Sequence, residues 1–306
     1  MSTVLKRLTL PVLDRAQRAA VGMMTSYFNH PTTEGSVLTR LTGRVLTFNW
    51  YFDRAIIVET GDGLIITDPF NTTLTTELGR RLHEKGIHTS CHTVVYTHFH
   101  LDHVRGAAAL EPRHVVAHAK CPHYWKDFEP EATAEVLGPT NLIEGDTTLT
   151  IGGVDIELLD VGLSHTDTLL LVHIPSERLL YAADTVGIGV FLPTGGISLY
   201  TPGYFRALDR MANLDFDIFV GSHFGWGSKA EFLDAVQHQY DIRDWVRDAL
   251  RRHTGTIPPF QDRRCILAIY DDVHTKIKSK YQSLHGYDTQ ALYAIISSVT
   301  AEYVGH

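Results

Sequence analysis

The sequence predicts a layered α/β fold that is followed by a helical segment. Between about residue 44 and residue 226, short runs rich in β-branched residues alternate with helical patterns. Several of these runs are apolar throughout, as strands buried on both faces should be. After Gly227 the apolar residues recur at helical spacing instead. We therefore expect an N-terminal segment over 1–40, an α/β domain over 41–227 and a helical extension over 228–306.

Each element of this fold rests on a local pattern. Residues 1–40 are expected to be partly helical, with a breaker cluster at 29–35. The pair Asp62-Gly63 predicts a tight hairpin between two strands, and Gly86 predicts the end of a helix over 75–86. Strands are predicted at 45–50, 55–60, 64–68, 93–97, 115–118, 149–151, 154–161, 168–174, 178–184 and 217–223. Further helical segments are predicted at 104–110, 203–214 and 229–253, with two more around Gly286 within 264–304.

Composition argues against several classes of protein. The 306 residues carry a formal net charge of −8, which argues against a nucleic-acid backbone as the main partner. No apolar run reaches the roughly 18 residues that a membrane-spanning helix needs, so no membrane partner is expected. The three cysteines show no Cys-x-x-Cys spacing, which argues against a disulfide framework and a cysteine zinc site. Residues 1–24 lack the continuous apolar stretch of a secretory signal, so a cytoplasmic location is expected.

The densest cluster of chemically active side chains is the segment THFHLDH at 97–103. Although the chain has 18 histidines, a His-x-His-x-Asp-His pattern would arise by chance only about 0.005 times in a shuffled chain of this composition. On a tight loop, His98 and His100 can face one metal ion while Asp102 and His103 face a second. Imidazole together with carboxylate suits Zn, Fe, Mn, Co or Ni. The segment therefore predicts a metal site.

Other polar residues end apolar strand-like runs in the same way. The residues that follow such runs are Asp68, His98, Asp184 and His223, and one further run leads to His165. Residues at the carboxyl ends of strands in an α/β sheet point into a common crevice. The order thus predicts one site built from distant segments. A turn is the alternative role for Asp68, which precedes a proline, and a cap between strand and helix is the alternative for Asp184.

These motifs resemble those of the metallo-β-lactamase-fold hydrolases. THFHLDHVRG at 97–106, SHT at 164–166, AAD at 182–184 and GSH at 221–223 occur in the order typical of that family. The resemblance spans about residues 40–226, so it covers the predicted α/β domain and makes it the catalytic domain. It implies a four-layer αβ/βα sandwich of two mixed sheets with outer helices, with a two-metal site at one edge of the paired sheets.

The resemblance also implies the metal ligands. Two sets are implied, one for each ion: His98, His100 and His165, and then Asp102, His103 and His223. Asp184 would bridge both ions, and Asp68 resembles the family carboxylate that orients a ligand histidine. Two divalent cations are thus the expected cofactor, with zinc as the first choice and iron or manganese as alternatives.

Two parts of the sequence depart from the family's pattern. Asp167 and Thr168 follow the SHT motif, where a small pair such as Pro-Gly is common. Arg105 stands where a small residue is common. Neither departure removes a ligand, and both bear on loop shape and so on substrate.

A pair of metal ions indicates the reaction. Two cations about 3.5–4 Å apart can share a water and lower its pKa to near 7. We therefore expect a dinuclear-metal hydrolase in which a hydroxide bridging the metals attacks a small ester, lactone or thioester. Asp102 and Asp184 are the candidate catalytic residues, since either can pass a proton to the leaving group. The chain has no Gly-x-Ser-x-Gly motif that would indicate a serine nucleophile.

Comparison with the branches of the resembled family narrows the range of expected substrate classes. True β-lactamases of the superfamily are usually exported and typically lack the bridging aspartate, which this chain has at Asp184. RNA-processing and DNA-repair relatives carry basic modules that the net charge opposes, and flavodiiron relatives have a glutamate in place of one motif histidine, whereas His100 is retained here. Lactonase-like and thioesterase-like branches fit best. A mononuclear iron dioxygenase on the same fold, or a metal-binding regulatory protein with little turnover, remain as alternatives.

The residues that select the substrate are expected directly after the predicted strand at 178–184, which ends in Asp184. The segment 187–205 is rich in glycine and aromatic residues, which is typical of a pocket wall, and we predict that Phe191 and Tyr200 touch substrate. Core packing is the alternative for these rings. The helical extension is expected to form a lid or a homodimer contact that selects a medium-sized, partly apolar small molecule.

Overall fold

A computed structural model describes residues 35–193 and 200–305 and contains two mixed β-sheets. The first has seven strands in chain order: Ser36–Arg40 (β1), Val45–Trp50 (β2), Asp53–Thr60 (β3), Gly63–Thr67 (β4), Cys91–Val95 (β5), His114–His118 (β6) and Asn141–Ile143 (β7). Strands β1 to β4 pair antiparallel, and β4 to β7 pair parallel. The predicted Asp62-Gly63 hairpin is confirmed, since it joins β3 to β4.

The second sheet has six strands, again with neighbours in chain order. They are Thr147–Ile151 (β8), Val154–Asp160 (β9), Leu170–Ile174 (β10), Leu179–Ala182 (β11), Ile218–Gly221 (β12) and Trp226–Ser228 (β13). Only β11 and β12 pair parallel, and the other neighbours are antiparallel. Both sheets are therefore mixed, as the family resemblance implied.

Helices connect and cover the strands. Their bounds are Thr72–Glu84 (α1), Leu101–Val104 (α2), Cys121–Trp125 (α3), Pro130–Thr133 (α4), Thr201–Ala212 (α5), Lys229–His253 (α6), Arg263–Tyr281 (α7) and Tyr287–Val304 (α8). The side chain of Asn71 caps α1 by accepting from the N–H of Leu74, and Ser228 and Glu231 form a capping box at the start of α6. Gly286, with φ of +82°, separates α7 from α8 as predicted. Within the described residues no helix combines the length and the apolar character needed to cross a bilayer.

The main core lies between the two sheets. Val45, Ile56 and Ile65 of the first sheet pack with Leu158 and Val172 of the second, and all five are buried. Strands of alternating inward and outward side chains supply an apolar face to this layer. The paired sheets thus form the two inner layers of the molecule.

Helices cover the outer face of each sheet. On the first sheet, Leu74 and Leu78 of α1 are buried against strand residues. On the second, Leu208 of α5 and Phe232 of α6 pack with residues of β10 to β12 such as Phe219. The four-layer sandwich implied by the sequence is therefore present.

The structure describes the ends of the predicted domains in part. The expected N-terminal segment (1–40) lies outside the described residues up to 34, and its last five residues form strand β1, which pairs with β2. The expected extension begins with α6, whose first half joins the outer layer of the second sheet. The second half, with Ile242 and Val246, packs into a separate core with α7 and α8. One continuous helix thus couples the sandwich to the extension.

Candidate metal centre

Side chains from both sheets lie at one site, and most of them follow the carboxyl ends of paired parallel strands. Asp68 and His98 follow β4 and β5 in the first sheet. Asp184 and His223 follow β11 and β12 in the second sheet. His165 comes from the loop between β9 and β10. The carboxyl ends of neighbouring parallel strands lie at one edge of a sheet, which explains why residues so distant in sequence meet.

Backbone hydrogen bonds tie the loop after β5 to its surroundings. The N–H of Leu170 in the second sheet donates to the carbonyl oxygen of Thr97 at 2.8 Å. The N–H of Phe70, in the loop after β4, donates to the carbonyl oxygen of His103 at 3.2 Å. The His-x-His-x-Asp-His segment is therefore fixed against both sheets.

Two groups of ligand-type side chains lie at this edge. In each group, one nitrogen or carboxylate oxygen from every member lies within 4.8 Å of the others. The members are His98, His100, His165 and Asp184 in the first group, and Asp102, His103 and His223 in the second. The structure thus brings together the two predicted triads and the predicted bridging aspartate.

Asp184 lies between the two groups. Its Oδ2 atom is 3.2 Å from Nε2 of His165 and 3.5 Å from Nε2 of His98, both in the first group. The same oxygen is 3.3 Å from Nε2 of His103, and Oδ1 is 3.0 Å from Nε2 of His223, both in the second group. A carboxylate with one group on each side has the position that a bridging ligand needs.

Asp68 lies behind the second group, where both its side chain and that of His103 are fully buried. Its Oδ2 atom is 3.2 Å from Nδ1 of His103. The carboxylate also accepts hydrogen bonds from the N–H and the hydroxyl of Thr97 and from the hydroxyl of Tyr181. Asp68 therefore lies where a carboxylate orients a ligand histidine. Its φ of +39° places the backbone of Asp68 in the left-handed region.

Several ring nitrogens at the site lack the hydrogen bonds that buried polar atoms usually have. His98 Nε2, both ring nitrogens of His103 and His223 Nδ1 are buried without a hydrogen-bond partner in the described part of the chain. His100 Nδ1 and His165 Nε2 face each other at 3.2 Å. Buried polar atoms are normally satisfied. Nδ1 of His103 and Nδ1 of His223 face carboxylates, and a cation would satisfy Nε2 of His98 and Nε2 of His103. The imidazole and carboxylate set therefore fits first-row divalent ions such as zinc, iron or manganese.

The charges at the site also suit cations. Burial lowers the pKa of His98 well below its ordinary value, and it lowers the pKa of His100 to about 4. Both side chains are therefore neutral imidazoles, the form that binds metal. Burial opposes ionisation of Asp184, but the neighbouring His103 and His223 hold the pKa of this carboxyl well below its usual range. Against the effect of burial, Asp184 in turn raises the pKa of both histidines, so without an ion they hold protons whose place a metal ion would take. A negative charge thus lies between the two groups.

Fold, motif order and site geometry agree with one family. The sequence profile of the Metallo-beta-lactamase superfamily matches residues 50–223, which include both groups of ligand-type side chains. This chain belongs to the metallo-β-lactamase superfamily.

Solved structures of superfamily members share its fold. A metallo-β-lactamase from Pontibacter korlensis is 21% identical, covers 66% of this chain and 99% of its own length, and has a TM-score of 0.55. The enzyme from Hirschia baltica is 17% identical over 67% of this chain and 98% of its own, with a TM-score of 0.55. A mono-zinc form of the Pseudomonas aeruginosa enzyme FIM-1 is 18% identical over 68% of this chain and 96% of its own, with a TM-score of 0.54. At these identities the likeness concerns the fold alone.

Two curated relatives are more similar in sequence. The alpha subunit of 2,4-dinitroanisole O-demethylase from a Nocardioides species is 31% identical over 206 residues, which are 62% of this chain. A hydroxyacylglutathione hydrolase from Ruegeria pomeroyi is 31% identical over 182 residues, which are 58% of this chain. The matches span 58% and 64% of the lengths of these two relatives.

Two side chains next to the candidate metal centre were not predicted from the sequence. The ring of Phe52 stacks on that of His223 with centroids 4.4 Å apart and planes 13° apart. Oδ1 of Asp53 lies 3.4 Å from Nδ1 of His223. Both residues belong to the hairpin between β2 and β3, which is distant from His223 in sequence. The sequence offers one local signal for this contact, which is that the carboxylate of Asp53 directly follows an aromatic turn.

The departures from the family's pattern have local partners. Asp167 accepts from the ammonium of Lys120 at 2.9 Å and from the hydroxyl of Tyr124 at 2.7 Å. The guanidinium of Arg105 donates to the carbonyl oxygen of Ala132 at 3.1 Å. Each departure therefore ties a loop beside the metal centre to a neighbouring helix.

The two predicted substrate contacts have different positions. Phe191 is fully buried, with its ring edge-on to His238 and Tyr287 in the core of the helical extension. This differs from the prediction, because a ring covered by helices offers no surface to a ligand. Tyr200 is half-buried, and its N–H donates to the carbonyl oxygen of Ser164, directly before His165. Substrate contact by Tyr200 stays a prediction, and residues 194–199 of the same segment lie outside the described part.

Proposed function

We propose that this superfamily member is a dinuclear-metal hydrolase of small esters, lactones or thioesters. The observation that carries the proposal is the position of Asp184 between two groups of ligand-type side chains. An anionic side chain shared by two cations about 3.5–4 Å apart stabilises the pair, because it offsets the repulsion between them. When bound, the cations would supply an activated water at neutral pH and polarise the oxygen of the bond to be cleaved.

Two carboxylates of the chain have different roles in this proposal, one as a shared ligand and the other in proton transfer. The Asp184 side chain is 11% exposed and surrounded by histidines, so it suits holding the two groups together. The Asp102 side chain is 66% exposed, and its Oδ2 is 3.8 Å from Nε2 of His103. An exposed carboxylate can take a proton and pass it to a leaving group. Of the two candidates, Asp102 is therefore the proton carrier in this proposal.

The Ruegeria relative supports a thioester or ester as the substrate. Its name assigns hydrolysis of a hydroxyacylglutathione, and it is 31% identical over a stretch that is 58% of this chain. Addition of water to a thioester gives an acid and a thiol, and addition to a lactone gives a hydroxy acid. Both reactions need only the attacking oxygen, the polarised carbonyl and one proton transfer.

A second candidate is the cleavage of an activated aryl methyl ether. It is favoured by the Nocardioides relative, whose name assigns O-demethylation of 2,4-dinitroanisole. Water that attacks the activated ring carbon releases methanol and leaves a phenol, so the reaction needs no oxidant. It would use the same proton carrier, because the departing methoxide must be protonated.

A panel of substrates on the metal-replete chain tests these candidates. The panel contains a nitrophenyl ester, a lactone, a thioester and 2,4-dinitroanisole, and the test variant is His98→Ala/Asp102→Ala. His83→Ala, at an exposed position on α1, is the matched control. We expect turnover by the wild type and the control, and a loss of at least about 100-fold in the double variant. No turnover on the whole panel would favour the regulatory alternative, and one iron per chain would favour a dioxygenase.

We also propose that the helical extension forms a lid or a homodimer contact in a cytoplasmic protein. The N–H of Phe191 donates to the carbonyl oxygen of His285 at 2.8 Å, and the N–H of His285 donates to that of Gly189 at 3.1 Å. The extension therefore holds the segment that follows Asp184, which supports a lid. Size-exclusion chromatography distinguishes the two roles, because a monomer at micromolar concentration rules out the dimer contact.

A further inference from the structure

The imidazole of His223 is enclosed on three sides. Its Nε2 atom faces the metal centre, 3.0 Å from Oδ1 of Asp184. One face of the ring stacks on Phe52. Its other nitrogen, Nδ1, is buried and lies 3.4 Å from Oδ1 of Asp53. The ring can therefore present only Nε2 to an ion in the second group.

Asp53 occupies a fixed place in the fold. It is the first residue of β3, where it pairs with Trp50 across the hairpin. Its side chain is 24% exposed, so the carboxylate lies at the edge of the site and keeps its charge partly in water. A carboxylate in this position is the acceptor that faces an Nδ1–H of His223, and a proton on Nδ1 leaves the lone pair on Nε2 for an ion.

The other histidine of the second group has the same arrangement. Nδ1 of His103 lies 3.2 Å from Oδ2 of Asp68, while its Nε2 faces Asp184 at 3.3 Å. In the first group the corresponding contact of His98 is to a hydroxyl, because its Nδ1 lies 3.0 Å from Oγ1 of Thr97. Outer carboxylates thus stand behind both histidines of the second group.

We infer that Asp53 is a positioning residue that orients His223 and thereby sets the affinity of the second group for its metal ion. The inference rests on the proposed dinuclear function, because it assumes that the second group holds an ion. Asp53 does not touch the reacting atoms. It acts by fixing the tautomer and the direction of one ring, and outer carboxylates of this kind change metal affinity by about 10–100-fold.

Competition between the chain and a chromophoric chelator for Zn²⁺ tests the inference. The variants are Asp53→Ala and Asp53→Asn, with Asp127→Asn at an exposed position as the matched control. His100→Ala and His223→Ala identify which binding event belongs to the first group and which to the second. Spectra of Co²⁺ complexes give a second readout, since the coordination of the second ion depends on the direction of His223.

We expect Asp53→Ala to weaken, by about 10–100-fold, the binding event that His223→Ala weakens. The event that His100→Ala weakens should change less than about threefold. Asp53→Asn should fall between wild type and Asp53→Ala, because the amide oxygen still accepts a hydrogen bond but carries no charge. Asp127→Asn should match the wild type. If Asp53→Ala does not fold, Asp53→Asn carries the same comparison.

The possible failures are distinct. If wild type binds two ions and Asp53→Ala binds both as tightly as Asp127→Asn does, the inference is wrong and the proposed function stands. Equal weakening of both events would also overturn it, because that result indicates a general structural role. If the metal-replete wild type holds only one ion, the dinuclear function itself fails.

Discussion

Ser222 and Asp184 bind each other through two hydrogen bonds. The hydroxyl of Ser222 donates to Oδ1 of Asp184 at 2.8 Å, and its oxygen accepts from the N–H of Asp184 at 3.2 Å. Asp184 has a φ of +50°, in the left-handed region that costs energy for a non-glycine residue. The serine thus stabilises a strained residue on which both ligand groups converge.

Ser222→Ala should loosen the bridge between the two groups. The substitution removes a donor to a buried carboxylate, so we expect the free energy of unfolding to fall by about 1–3 kcal/mol. Less metal should remain bound after dialysis, because Asp184 loses one constraint on its direction. Urea unfolding and metal analysis measure the two effects. Ser279→Ala, at an exposed position on α7, serves as the control, and equal results for both variants would contradict the role of Ser222.

Two glycine substitutions should have opposite effects on stability. A Cβ atom on Gly203 in α5 would lie 1.7 Å from the carbonyl oxygen of Leu163, two residues before His165, whereas one on Gly79 in α1 would meet no atom within 4 Å. Gly203→Ala should lower the free energy of unfolding by more than about 2 kcal/mol and displace the loop of His165. Gly79→Ala should raise it by about 0.5–1 kcal/mol, because alanine favours helix. Urea unfolding of both variants is the measurement, and a neutral Gly203→Ala would refute the close approach.

The stability of the helical extension should depend on pH through His238. Burial lowers the pKa of this residue to about 4, with its ring between Phe191 and Tyr281. Below a pH of about 6.5 the unfolded chain therefore binds a proton that the folded chain does not, and stability falls as the pH drops towards about 4. Between pH 7.5 and pH 5 this residue should account for a loss of about 1–2 kcal/mol.

The comparison of wild type with His238→Gln isolates this effect. Other histidines titrate equally in both proteins, so their contributions cancel in the difference between the two pH values. We expect urea unfolding to show a smaller loss on acidification for the variant. An identical loss in both proteins would mean that His238 takes up its proton in the folded state as readily as in the unfolded chain.

The order of motifs was sufficient to predict which residues come together in the candidate metal centre. Each predicted ligand follows a strand or lies in a loop at the carboxyl edge of the sheets, and strand order alone places such residues together. His173 lies within the predicted strand at 168–174, and its buried ring contacts Glu157 and the carbonyl oxygen of Asp215. Periodicity predicted the strands, whereas the division into two ligand sets and the bridging role of Asp184 came from the family resemblance.

The features of the site that could not be predicted from the sequence depend on contacts between distant elements. Asp53 reaches His223 only because the β2–β3 hairpin folds over the end of β12. The aromatic segment after Asp184 has the composition of a pocket wall, but α6, α7 and α8 cover Phe191. No local sequence pattern predicts which helix will pack over a given aromatic ring. The substrate contacts were therefore the least predictable part of the site.

The proposed dinuclear centre is tested most directly by the metal content of the chain after saturation with Zn²⁺ and removal of the excess. The account predicts two ions per chain in the wild type and fewer in Asp184→Asn, because that substitution removes the charge between the two groups. A wild type that stays metal-free or holds only a single ion would contradict it, and so would two ions that Asp184→Asn retains unchanged.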